Sequence, residues 1–114
     1  MNKVINLTAH SIYDVVTRVE FPPSKRIARV DTDRKVEHIP IEGSSKKVAV
    51  VNTIYKDIVG LPEKKDGIMY IVSAIVLNAL QQRGSMRDDV VAPGKSIKDS
   101  HGANVGCEGF RRNG

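Results

Sequence analysis

The chain has 114 residues, which suits one domain rather than two, and carries a formal net charge of +5 with a sequence pI near 9.5. Hydrophobic residues at 40% and charged residues at 27% are globular proportions and exclude a disordered chain, while 4% aromatics and no Trp leave the core to Val, Ile, Leu and Ala. A single cysteine, Cys107, excludes an intramolecular disulfide scaffold, and no apolar run approaches the ~20 residues of a membrane-spanning helix.

A chain of this size can bury roughly two-thirds of its unfolded surface, enough for one modest core. The positive charge favours anionic partners but is spread out. Residues 1–57 hold ten Lys and Arg against seven acids, and residues 58–114 hold eight against six. Neither half is a basic arm, and the spread fits a solvated surface. The start, MNKVINLTAH, lacks the long apolar stretch of a signal peptide. The expected location is therefore the cytoplasm, with no membrane partner.

Val4 to Leu7 reads as a first short strand, Thr8 to Ser11 as a polar break, and Ile12 to Val16 as a second strand. Phe21-Pro22-Pro23-Ser24 breaks the chain, because proline lacks an N–H and pushes the preceding residue out of helix. Arg26 to Asp31 alternates as a half-buried strand with mixed faces. Thr32 to Lys47 is polar and carries Gly43-Ser44-Ser45, so a mobile loop around residues 32–47 is expected, with room for a short strand at Val36 to Ile41.

Val48 to Val51 reads as a buried strand that runs on toward Tyr55. Gly60-Leu61-Pro62 and Asp66-Gly67 are breaks, and Ile68 to Val72 is a strand covered on both faces. Ser73 fits an N-cap, Ala74 to Arg83 a short buried helix, and Gly84 its C-terminal stop. Val90-Val91 starts a strand expected to stop at Pro93-Gly94, and the tail reads as a hairpin around Ser100 to Asn104. The expected fold is one domain over residues 1–114, α+β in class: a compact, largely antiparallel sheet with one short buried helix packed on it. Val50, Ile71, Ile75 and Leu80 are the expected core.

Few residues point to chemistry. His10, His38 and His101 lack metal-ligand spacing, and with one cysteine a metal site would need distant partners. His10 stands out because it sits where a strand breaks. Phe21 to Arg26 sets a rigid turn before a hydroxyl and two cations, either to present Ser24 and nearby N–H groups to an anion or to stiffen the entry to the next strand. Arg83 and Arg87 flank the helix end. Arg87-Asp88-Asp89 reads as a structural ion pair, or as an arginine facing a ligand with a carboxylate orienting it. Cys107, among small neighbours, reads as a buried hydrophobe rather than a nucleophile. Basic dipeptides such as Lys25-Arg26 and Lys64-Lys65 allow phosphate contact, but no helix-turn-helix or aromatic RNA-binding strand accompanies them, so nucleic acid is an unfavoured partner.

Several segments together carry a resemblance. Val4 to His10, the Phe21-Pro22-Pro23-Ser24 turn with Ala28-Arg29-Val30, Gly60-Leu61-Pro62, Tyr70-Ile71-Val72-Ser73, Arg87 with Asp88-Asp89, and Pro93 occur in order along most of the chain. They resemble a family of small uncharacterised proteins of tailed bacteriophages and prophages. Ala9 departs from the pattern, where a proline is expected. The resemblance implies an accessory phage product acting in the bacterial cytoplasm, and implies no activity.

The leading expectation is a non-catalytic binder of an anionic small molecule such as a nucleotide, for instance one that sequesters host defence signals. Its expected ligand residues are His10, Ser24, Arg29, Arg83 and Arg87, with Asp88 and Asp89 in structural ion pairs and no cofactor or metal. A protein-interaction or virion-structural role ranks second and non-specific nucleic-acid binding third. An enzyme ranks last, because no catalytic constellation can be named. A homo-oligomer remains open.

Overall fold

The computed structural model describes residues 2–85 and 87–112. Its strands are β1 (Lys3–Asn6), β2 (Ile12–Asp14), β3 (Val19–Phe21), β4 (Arg29–Pro40), β5 (Lys47–Val59), β6 (Ile68–Ile71), β7 (Val90–Lys98) and β8 (Asn104–Arg111), with one helix, α1 (Ala74–Gln82). Six strands form one sheet in the order β1-β6-β7-β8-β2-β3, while β4 and β5 form a separate two-stranded hairpin. The end of β3 returns toward β1 through a bridge between Asn6 and Pro23, so the larger sheet is a nearly closed barrel.

The α+β expectation is overturned. Strands hold 52% of the structure and the helix 8%, which makes the protein mostly β. The larger sheet is not largely antiparallel either: β1–β6, β6–β7 and β2–β8 pair in parallel, against antiparallel β2–β3 and β7–β8. Nor is the molecule compact. Its radius of gyration is 17.9 Å, where a compact chain of this length has about 13 Å. The excess comes from the hairpin of β4 and β5, which extends as an arm in a molecule 61 Å long.

The arm also replaces the loop expected over residues 32–47. Charge and Gly-Ser content suggested a loop, yet Thr32 to Pro40 pairs in register with Lys47 to Tyr55, and only Ile41 to Lys46 turns. The charged strand is held by its apolar partner, a non-local pairing that composition does not report. Two further boundaries move. The second strand ends at Asp14, not Val16, because the Asp14 carboxylate accepts hydrogen bonds from the Val16 and Thr17 N–H groups and turns the chain. β7 runs through Pro93-Gly94 to Lys98, because β6 pairs only as far as Val91 and leaves that side of Pro93 without a neighbour. Gly94 permits the close approach of β8, since an added methyl would meet the Glu108 carbonyl oxygen at 2.5 Å.

The helix follows its local signals. The Ser73 hydroxyl accepts from the Val76 N–H at 3.4 Å. At the other end Gly84 has φ +68°; its N–H donates to the Gln81 carbonyl and that of Ser85 to the Leu80 carbonyl, a Schellman stop. Val76, Leu77 and Leu80 cluster with Leu7, Ala28, Tyr70, Val72, Val90 and Ala92, and Ala79 is buried as well. Ile71 and Leu80 sit in the interior as expected, but Val50 and Ile75 are 37% and 53% exposed. Val50 lies on the arm, away from the barrel, and Ile75 lies on the open side of the first helical turn. No helix among the described residues is long and apolar enough to cross a membrane.

Candidate functional site

The barrel stays open along the seam between β1 and β3, and a cleft of about 520 Å³ lies there. One wall is β1 with Leu7, the residue after it. The second is the turn after β3, with Phe21, Pro22, Ser24 and Arg26. The floor comes from Pro62, Lys65, Ile68 and Tyr70. Tyr70 is buried and the neighbouring apolar side chains are half-buried, so the cleft has a firm apolar base and a polar rim.

Asn6 builds the turn wall. Its side-chain N–H groups donate to the carbonyls of His10 (2.8 Å) and Phe21 (2.9 Å), and its side-chain oxygen accepts from the N–H (2.9 Å) and hydroxyl (2.6 Å) of Thr8. Its carbonyl accepts from both the N–H (3.0 Å) and the hydroxyl (2.7 Å) of Ser24. One buried amide therefore locks the break after β1 to the Pro-Pro turn, with every polar atom satisfied. Lys25 then takes φ +72°, a left-handed conformation rare for a side chain of its kind. That reversal directs the chain so that Arg26 lines the cleft beside Ser24.

The lysines arrive by strand pairing. Lys3 stands opposite Ile68 in the parallel β1–β6 pair, and its N–H donates to the Gly67 carbonyl at 2.7 Å. Lys65 lies just before the Asp66-Gly67 turn, where its carbonyl accepts from the Ile68 N–H. Lys3, Arg26 and Lys65 thus converge from three separate segments. No lining residue of the cleft is acidic, and none of the three cations forms an ion pair among the described residues.

The five expected ligand residues do not share one pocket. Ser24 lines the seam cleft, with its hydroxyl donated to Asn6. His10 and Arg29 line a second, largely apolar cleft of about 360 Å³ with Ser73, Ile75 and Val76. Arg83 donates to the Lys56 carbonyl (2.7 Å) and the Asp57 carboxylate (3.1 Å), which ties the helix end to the base of the arm. Arg87 grips the buried Asp89 with two hydrogen bonds of 3.0 and 2.6 Å, and Asp88 pairs with Lys64 at 2.6 Å. The Lys64 ammonium beside it holds the Asp88 carboxyl below the usual range, and Asp88 in turn raises Lys64.

Sequence reasoning missed Lys3, Lys65 and Tyr70 as lining residues. Arg26 carried a signal, the cation after a rigid turn; the others reach the site only through the parallel pairing of β1 with β6. Two buried polar groups lie elsewhere. The Asp14 carboxylate accepts from the Thr17 hydroxyl, the Gly109 N–H and the turn amides, which together hold it below its usual range. Burial, with the Asp14 charge nearby, pushes the Cys107 thiol up, so it is a packed side chain and a poor nucleophile. No protein-family model, curated protein or solved structure matches the chain.

Proposed function

We propose that the protein is a non-catalytic binder of a small anionic ligand, held in the seam cleft. The observation that carries this reading is the charge balance there: Lys3, Arg26 and Lys65 on the lining, with no acid among them. Unpaired cations around an apolar base attract an anion more strongly than the same cations in open water. The arginine fork suits phosphate or carboxylate, and the lysines supply further charge without fixed geometry. The volume lies within the range of small-molecule sites.

A nucleotide fits this chemistry by class. Its phosphates suit the cations, and its flat base suits the half-buried ring of Phe21 on the turn wall. The lining offers no carboxylate, histidine or thiol to act as a base, which favours holding the ligand over cleaving it. A sequestering role fits such a site, since binding alone withdraws a host signalling nucleotide from solution.

Calorimetric titration with mono-, di- and cyclic nucleotides tests the reading. The expected result is binding tighter than about 100 μM, equivalent to roughly 5.5 kcal/mol. Arg26→Ala and Lys65→Ala should each weaken it about tenfold, the scale of one charge-assisted hydrogen bond, while Arg29→Ala in the second cleft leaves it unchanged. Absence of binding at that level, or indifference to both cleft substitutions, contradicts the proposal. Turnover of the nucleotide would move the protein into the enzyme class. The exposed apolar arm favours a second role, in protein association.

A further inference from the structure

We infer that the arm is an association element, and that its partner is a second copy of this chain joined edge to edge along β5. β5 is written as a strand to be buried. Val48-Ala49-Val50-Val51 is a continuous apolar run, the pattern of a strand covered on both faces. In the single chain it is covered on neither. Val50 and Val51 are 37% and 44% exposed and point to opposite faces, and Ile54 is 49% exposed. Only the base of the hairpin is covered, where Val30 and Ile58 pack on the barrel core.

A two-stranded ribbon is marginal in water, and three or more strands are needed for independent stability. The arm has two strands. Its two outer edges differ. The β4 edge carries Asp33, Arg34, Lys35, Glu37 and Pro40, the charges and proline that discourage pairing. The β5 edge from Lys47 to Tyr55 has one charge, at its end, no proline, and no paired strand among the described residues.

A second copy fits this asymmetry. Antiparallel pairing of two β5 edges about a two-fold axis gives a four-stranded sheet in the order β4-β5-β5-β4. It consumes the unprotected edge of both chains and leaves only protected edges outside, so the assembly closes. With the axis at Val51, Val48 lies opposite the partner's Ile54 and Lys47 opposite the partner's Tyr55; from 47 to 55 no like charges face each other, and Lys56 meets the partner's Lys46 only at the turn beyond. The nine paired residues run about 30 Å, and the contact is made by main-chain hydrogen bonds along the edge and by neighbouring side chains on each face.

The test uses the full chain. Native mass spectrometry and sedimentation should give a dimer, twice the 12.5 kDa chain mass. Val51→Lys sets two cations face to face on the axis and should give a monomer whose circular dichroism keeps the barrel signal. Val51→Cys tests the geometry: directly opposed strand residues lie about 4.5–5.5 Å apart, within disulfide range. Mild oxidation should yield a covalent dimer from Val51→Cys and little from Glu37→Cys on the β4 edge, with the buried Cys107 silent in both. A wild-type monomer at about 100 μM, a concentration at which interfaces of standard size are associated, overturns the proposal. So does a dimer that survives Val51→Lys, equal cross-linking at the two cysteines, or a chain that stays monomeric and pairs only with a different protein.

Discussion

β5 on the arm and β6 in the barrel are made of the same kinds of residue and end in opposite surroundings. Tyr70, Ile71 and Val72 are at most 2% exposed, between β1 and β7 and beneath the helix. Val50 and Val51 are more than a third exposed, with one neighbouring strand and nothing over either face. The apolar run says in both cases that a strand wants cover. It does not say whether that cover comes from the same chain. The barrel supplies its own, whereas the arm, in the association inferred above, gains a second neighbouring strand from another copy of the chain.

The largest effect should separate the two regions by matched truncations. Leu77→Ala removes a fully buried side chain from the barrel core and should cost about 2–5 kcal/mol. Val51→Ala at concentrations below dimer formation should cost under about 0.5 kcal/mol, as for a surface substitution, yet weaken association. Denaturant melts at two protein concentrations check both, and equal costs at the lower one would erase the distinction.

Acid should act on the barrel first. Asp14 joins the turn after β2 to Gly109 of β8, and its folded carboxyl titrates below the ordinary carboxylate value. The stability it contributes is therefore fully present above that ordinary value and is lost as pH falls through the lowered one. Thermal melts between about pH 6 and pH 2 should fall across the acid range in the wild type and less steeply in Asp14→Asn. Parallel curves for the two proteins would place the acid sensitivity elsewhere.

The smallest effect lies at the junction. Arg83→Ala unties the helix end from Lys56 and Asp57 at the base of the arm. This solvent-facing contact should cost at most about 1 kcal/mol, with anion binding in the seam cleft unchanged. A larger loss would show that arm and barrel unfold as one unit.

The barrel itself was not legible, but its helix and several of its turns were, because their signals are local. Ser73 and Gly84 bound the helix by hydrogen bonds within a turn, and the Pro-Pro turn after Phe21 is fixed by proline geometry wherever it occurs. What could not be read depends on distant pairing. β4 looked like a loop because its charges were visible and its apolar partner was not. The barrel closes through a parallel β1–β6 pair more than sixty residues apart in sequence, and the same pairing brings Lys3 to Lys65. Arg83 and Arg87 illustrate the converse. Their chemistry suited a ligand, but carboxylates within reach satisfy them first.

Amide hydrogen exchange measured at several protein concentrations tests the contrast most directly, because it reads both strands in one sample. Protection over 47–55 should rise as concentration increases through the association range, while protection over 70–72 stays high and constant. Strong protection of the arm that does not change with dilution would contradict the account, since the hairpin would then hold its own structure without a partner.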